Sequence, residues 1–504
     1  MTEEQPEKLA ELDVEKADSY TTVNELEPEE SDLSLVGPRT IWHKLASWGV
    51  ETRGINPIPV SARRGTAYVN IFSLWFSMGL NLLPIITGMV GTLDYALSLR
   101  DCSLVIIFFT ALCSIIPAYL STLGPKTGLR QMIQARYTFG LYGVDVPVLL
   151  NMASITGFCV IGSVIGGQSL AAVTDGSLSW NVGIVIVAIL ALFLSFCGYK
   201  ILHQYERYAW IPVLIAILIA TGCGGKYLHL QVETEAPTAS SVLTFGGLIA
   251  GFIIPYSGMA SDFTTYMHPE VSSKRIFIYS FLGLYVPTVP LMILGAAIGG
   301  AVPNVPSWAA GYETGSAGGI LAAMLTPAGG FGKFVTVVLA FSTLGNVAAS
   351  LYSITLNFQI LAPVLMRVPR AVFALITTAI LIPVSIRAAV SFFASLENFI
   401  GVIAYWSAAY VALVLTEHLV FRKGAAASYE HAIFRDARAL PTGIAALAAG
   451  ALSFALVIPC MAQIWYTGPI AETTGDIGFE VAFFVSAILY VPFRALEIRI
   501  RGRL

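Results

Sequence analysis

Charge is what this chain has least of. Only 12% of its 504 residues are charged, about half the share that soluble domains carry. A soluble chain of this length would need enough polar surface to cover about two or three domains. That surface is missing, which excludes a soluble enzyme, a nucleic-acid binder and a disordered scaffold. Cysteine is sparse as well: Cys102, Cys113, Cys159, Cys197, Cys223 and Cys460 are scattered with no C-x-x-C pair. Neither a disulfide framework nor a zinc site is implied. No Asn-x-Ser/Thr sequon occurs, the six histidines are dispersed, and neither a G-x-S-x-G element nor a P-loop is present. The N-terminus lacks the basic region followed by an apolar core that marks a cleaved signal peptide.

Apolar residues fill the space instead. They make up 56% of the chain, and the mean hydropathy is +0.75. A helical span needs about 20 mostly apolar residues. Twelve runs fit: 66–92, 103–123, 147–173, 182–199, 208–225, 241–265, 276–300, 333–361, 369–387, 392–417, 440–462 and 478–496. Such long runs indicate helices, because a closed barrel would show short alternating strands. Residues 1–40 hold 12 acidic and 3 basic side chains, a composition too polar to order itself. The expected layout is an acidic, largely disordered tail over 1–64, a twelve-helix body over 65–497, and a short basic tail over 498–504. With the N-terminus placed inside, 24 of the 28 Lys and Arg fall on inner segments or tails. By the positive-inside rule both termini are cytoplasmic, in a multi-pass protein of the plasma membrane surrounded by lipid.

Spans 1 and 6 share an oddity. Span 1 contains Gly79, Asn81, Pro84 and Gly88, and span 6 contains Gly246, Gly247, Gly251, Pro255 and Gly258. Two interrupted helices five apart are the signature of an inverted-repeat transporter, whose breaks expose backbone groups at mid-membrane. Gly and Pro are also common in ordinary membrane helices, where small residues aid close packing. Ionisable residues near span interiors are few, so Asp262 after span 6 and Glu397 at the start of span 10 are functional candidates. Asp262 can relay a proton or cap a helix turn. Glu206 beside Arg207 reads as an ion pair at the membrane boundary. In span 8, Ser342, Asn346, Ser350 and Ser353 step along one helical face, as helix glue or as the lining of a path.

The loop from Gly124 through Gln131 and Arg136 to Phe139–Gly140 resembles a conserved element of the nucleobase:cation symporter-1 family, in its fungal purine-cytosine permease branch. Trp75–Phe76–Ser77, Gly166–Gly167–Gln168, His203-x-Tyr205–Glu206–Arg207, Ser261–Asp262–Phe263 with Tyr266, and Tyr352–Ser353 are similar to further elements of that branch, in matching order. The resemblance implies two inverted five-helix repeats with helices 1 and 6 broken, plus two extra helices. It implies import of a purine, cytosine or a related planar nitrogen heterocycle, coupled to H+ or Na+ and needing no cofactor. Vitamin B6 uptake and ligand sensing without transport are the alternatives. Carried over by position, Ser77, Phe158, Gly162, Tyr256, Asn346 and Ser350 fall on substrate-contacting places. Ser342, Thr343 and Asp262 fall on cation-coupling ones. Phe158 and Tyr256 stand where the family usually has tryptophans. Gly162 replaces an edge-reading Asn, which leaves room for a larger ligand.

Overall fold

The computed structural model describes residues 54–174, 177–196 and 198–504, without the side chains of 198–203 and 206. The acidic part of the tail and the Glu206–Arg207 pair therefore lie outside the described residues. Among the described residues fifteen helices have twelve residues or more: α1 (Tyr68–Gly79), α2 (Leu82–Leu93), α3 (Leu99–Ser121), α4 (Asp145–Val173), α5 (Trp180–Phe196), α6 (Gly198–Gly224), α7 (Ala239–Ile253), α8 (Ser273–Ala301), α9 (Pro306–Leu325), α10 (Gly329–Ala340), α11 (Leu344–Leu361), α12 (Arg370–Ala389), α13 (Phe392–Thr416), α14 (Ile444–Val457) and α15 (Gly478–Arg501). A two-stranded antiparallel ribbon, β1 (Ala462–Gln463) with β2 (Tyr466–Thr467), lies between α14 and α15. Among the described residues nine helices are long and apolar enough to cross a membrane, ten if the bent pair α1–α2 is one span. The apolar helices Trp180–Phe196 and Ile444–Cys460 are shorter, and the expectation of twelve spans counts both.

The first interruption follows from one amide. Between α1 and α2 the axis bends by 52°. Asn81 donates from Nδ2 to the Met78 carbonyl at 2.7 Å, and its Oδ1 accepts the Leu83 N–H at 2.7 Å. The side chain thus satisfies one orphan group on each side of the break, as a helix cap does. Beyond it, spans 1 and 7 pack backbone to backbone. A Cβ on Gly88 would lie 2.0 Å from the Met292 carbonyl oxygen, and one on Gly295 only 1.8 Å from that of Ile85.

Span 6 is interrupted differently. Helix α7 stops at Ile253 and continues as 3-10 turns over Ile254–Gly258 and Ala260–Phe263, not as a second α-helical half. Pro255 has no N–H to return to the preceding turn, so the regular ladder ends there. Span 8 carries a 3-10 turn of its own, Phe341–Thr343, between α10 and α11. The stretch between spans 7 and 8, outside the apolar runs of the sequence, holds the 20-residue helix α9, kinked at Ser316.

Two tail boundaries move. Residues 54–64, expected in the disordered tail, are fastened to the body. Ile58 N–H donates to the Gly128 carbonyl at 2.9 Å, Arg63 Nη1 to the Pro125 carbonyl at 2.7 Å, and Gly65 exchanges backbone hydrogen bonds with Tyr266 and His268. At the other terminus α15 runs to Arg501, so most of 498–504 is helical and not a free tail. Arg501 and Arg503 both donate to the Arg438 carbonyl. Arg435 also donates to Asn56 Oδ1, so residues 54–65 and the C-terminal residues share one face of the bundle.

Near that face Glu417 is fully buried in the five-residue π-turn Glu417–Phe421 that ends span 10. Its carboxylate lies 3.0 Å from both Arg422 Nε and Arg494 Nε and accepts the Tyr490 hydroxyl at 2.9 Å. Removing one member of a buried ion pair strands the other charge. Glu417→Ala is expected to destabilise the protein by about 3–5 kcal/mol, visible as a lower Tm of the detergent-solubilised protein.

Candidate binding site

Five spans meet around the break in span 1. Asn346 of α11 donates from Nδ2 to the Met78 carbonyl at 3.1 Å and to the Tyr256 hydroxyl at 3.2 Å. The Met78 carbonyl, already held by Asn81, is where the two amides converge. Tyr256 sits in the 3-10 turn after α7, and its ring is nearly parallel to that of Phe158 on α4. Their centroids are 6.3 Å apart and the planes differ by 12°. Trp75 of α1 meets Tyr256 edge-on at 5.7 Å, and Phe399 of α13 meets Phe158 likewise at 5.4 Å. Phe158, Tyr256 and Asn346 are all buried.

The arrangement suits a flat polar solute. Parallel rings offer two π faces, and an amide reads a donor and acceptor rim. A planar guest between two rings needs about 7 Å, two contacts of about 3.5 Å each. The ring centroids are 6.3 Å apart, closer than that, so the rings must part to admit a guest between them.

The remaining expected contacts divide. Ser77 is buried next to Met78 on α1. Gly162 lies one turn from Phe158, but no room is left there. A Cβ would sit 3.0 Å from Val347 Cγ2 and 3.6 Å from Thr343 Cβ. The space for a larger ligand expected from the missing amide is filled by α11. Ser350 is buried against Cys159 of α4, so it serves the helix contact and not the ring pair.

The three coupling candidates do not form one site. Ser342 Oγ accepts the Leu82 N–H at 3.3 Å, which ties the turn in span 8 to the start of α2. Thr343 donates its hydroxyl to the Gly162 carbonyl at 3.1 Å. Asp262 lies farther along, toward the face that carries residues 54–65 and the C-terminal residues. Its Oδ1 accepts the Gln131 N–H at 2.8 Å, and Ser353 donates to its Oδ2 at 3.5 Å. Ser353 is eleven residues beyond Ser342, about 16 Å of helix. Around Asp262, Arg130 donates to its backbone carbonyl and to the hydroxyls of Tyr352 and Tyr266. The recognised loop after span 2 thus docks on the interrupted end of span 6 through Arg130 and Gln131.

Glu397 belongs to the opposite face. Tyr95 donates its hydroxyl to Glu397 Oε1 at 2.5 Å, beside a small pocket also lined by Thr244, Tyr405, Gln463 and Asp476. Burial pushes the Asp476 carboxyl up, opposed by donors from Tyr405, Gln463, Ala462 and Gly478. No cluster of three or more His, Cys, Asp or Glu able to hold a metal exists among the described residues. Sequence reasoning did not single out Asn81 or Trp75 as parts of the site. An amide between Gly79 and Pro84 in an apolar run was the available signal for Asn81.

With this geometry in hand, comparisons with known proteins agree. The family described as permease for cytosine/purines, uracil, thiamine, allantoin matches residues 57–482. The chain is 35% identical over 464 residues to the purine-cytosine permease fcyB of Emericella nidulans, covering 91% of each. It is 28% identical over 526 residues to the vitamin B6 transporter TPN1 of Saccharomyces cerevisiae, covering 92% of this chain and 91% of that one. Among solved structures, Mhp1, a nucleobase-cation-symport-1 family transporter in a closed conformation with bromovinylhydantoin bound, shares the fold. Its TM-score is 0.67 at 15% identity, over 92% of this chain and 96% of its own. The protein is a membrane transporter and not an enzyme, and it belongs to the family of permeases for cytosine, purines, uracil, thiamine and allantoin.

Proposed function

We propose that this protein is a proton-coupled symporter of the plasma membrane that imports cytosine, a purine or a closely related flat heterocycle. The observation that carries the reading is the Phe158–Tyr256 ring pair beside the Asn346 amide, where interrupted spans meet. Phe158 and Tyr256 hold the solute by its faces, and Asn346 with Ser77 reads its rim. Asp262 is the coupling group, because a carboxylate can carry the proton, whereas the hydroxyls of Ser342 and Thr343 are engaged in helix contacts. Loop charge supports cytoplasmic termini, with the face near Asp262 inward and the cavity at Glu397 outward. The kinship with fcyB supports a nucleobase as cargo, and that with TPN1 favours vitamin B6 as the second reading.

Competition uptake in a yeast strain lacking its own nucleobase and vitamin B6 carriers tests this. Saturable uptake of labelled cytosine or adenine, stopped by a protonophore, is the expected result. Uptake of pyridoxine alone by surface-located protein would replace the nucleobase reading with the vitamin.

A further inference from the structure

Between the ring pair and Asp262 lies a belt of buried polar atoms with no hydrogen-bond partner. Asn151 of α4 is fully buried, and neither its Oδ1 nor its Nδ2 is paired. Ser257 Oγ, the neighbour of Tyr256, is equally buried and unpaired. On the far side are Gln131 Nε2 and the Tyr410 hydroxyl of α13. These two lie side by side, yet neither meets hydrogen-bond geometry with any group.

Their positions connect. Asn151 presses on Gly258, where a Cβ would come within 2.2 Å of Asn151 Oδ1. Gly258 therefore holds the Asn151 amide against the turn that carries Ser257 and Tyr256. Trp406 Nε1 donates to Ser154 Oγ at 2.9 Å, locking α13 to α4. The two helices run in opposite directions, so Tyr410 and Asn151 each lie one turn from that lock, on the same side of it. Gln131 closes the row. Its N–H bonds to Asp262 Oδ1, and its Oε1 accepts the Ser261 N–H at 3.2 Å.

Five dry, unpaired polar atoms in one belt would cost an amount comparable with the stability of a whole domain. Buried water is the usual remedy, each molecule making about three hydrogen bonds to such groups. We propose that Asn151, Ser257, Tyr410 and Gln131 bind a short chain of water molecules that joins the solute chamber to Asp262 and conducts the coupling proton. The inference rests on the proton-coupled reading above. Every group in the row can both donate and accept, or complements one that can. A proton entering from the chamber bonds to the first water, which releases a different proton to the next. The last transfer forms an O–H bond on the Asp262 carboxylate. That bond breaks again when the site opens to the other face, and the proton leaves with the solute. Around Asp262 the charged and titratable groups include Arg130, Tyr266, Tyr352 and Tyr410.

Two measurements test it on the purified full-length protein in liposomes. Radiolytic labelling in 18O water is expected to mark Tyr410 with a slowly exchanging oxygen, the sign of a bound water. Asn151→Leu and Tyr410→Phe are expected to keep solute-for-solute exchange close to wild type. Both should lower accumulation driven by a pH gradient by at least about tenfold. Accumulation equal to wild type in both variants, or exchange and accumulation lost together in both, overturns the inference. A dry Tyr410 in a protein that moves protons with solute overturns the water chain and leaves the coupling reading standing. Wild-type uptake with no proton entry removes the coupling reading, and the relay with it.

Discussion

Asn346→Ala is expected to abolish solute uptake while the protein still reaches the membrane. The amide ties the break in span 1, through the Met78 carbonyl, to the ring-bearing turn of span 6, through the Tyr256 hydroxyl. Alanine removes both bonds and the group that would read a heterocycle's rim. Sites that recognise a solute by hydrogen bonds lose heavily when one partner is deleted, because the other is left buried and unpaired. A fall of at least about 100-fold in kcat/KM follows, ~2.7 kcal/mol. Tyr256→Phe supplies the control: it keeps the stacking face and loses only the hydroxyl, so a fall nearer tenfold is expected. Uptake kinetics with surface labelling read both. Wild-type kinetics in Asn346→Ala would move the site elsewhere.

Asp262→Asn is expected to stop accumulation without stopping movement. Asparagine keeps an oxygen to accept the Gln131 N–H, so the docking of the loop after span 2 survives. It cannot take up a proton. Without a coupled proton the ratio of internal to external solute falls to about one, since only the solute's own gradient remains. Exchange of labelled for unlabelled solute should continue. Asp262→Ala should behave worse, because it also strands the Gln131 N–H and costs about 1–3 kcal/mol in stability. Accumulation by Asp262→Asn at the wild-type level would clear Asp262 and turn attention to the Ser342–Thr343 turn.

The sequence made the main outline legible for identifiable reasons. Twelve long apolar runs left no architecture but a helical bundle, and Gly79, Asn81 and Pro84 marked the first break. Family resemblance brought Phe158, Tyr256 and Asn346 to attention, and these do converge. Other features depend on neighbours remote in the chain. Nothing about Gly162 announces that Val347 fills the space beside it. Residues 54–64 look like tail because their fastening, the Ile58 N–H, the Asn56 and Arg63 side chains and the buried Ile55 and Ile58, is spread over a segment too short to form an apolar run. Helix α9 escaped notice because Gly, Ser, Thr and Glu dilute its apolar residues below those of a span. The interruption of span 8 at Phe341–Thr343 contains neither Gly nor Pro, so pattern reading passed over it.

The contact between spans 1 and 7 limits how this molecule can work. With Gly88 against the Met292 carbonyl and Gly295 against that of Ile85, the two backbones touch with no side chain between them. Sliding either helix by one residue, about 1.5 Å, would drive a bulkier neighbour into a carbonyl oxygen. The two helices are therefore geared like paired teeth, and lipid cannot wedge them apart. Whatever rearrangement exposes the site first to one side and then to the other, α2 and α8 make the journey as a single beam, and the hinges must lie outside it.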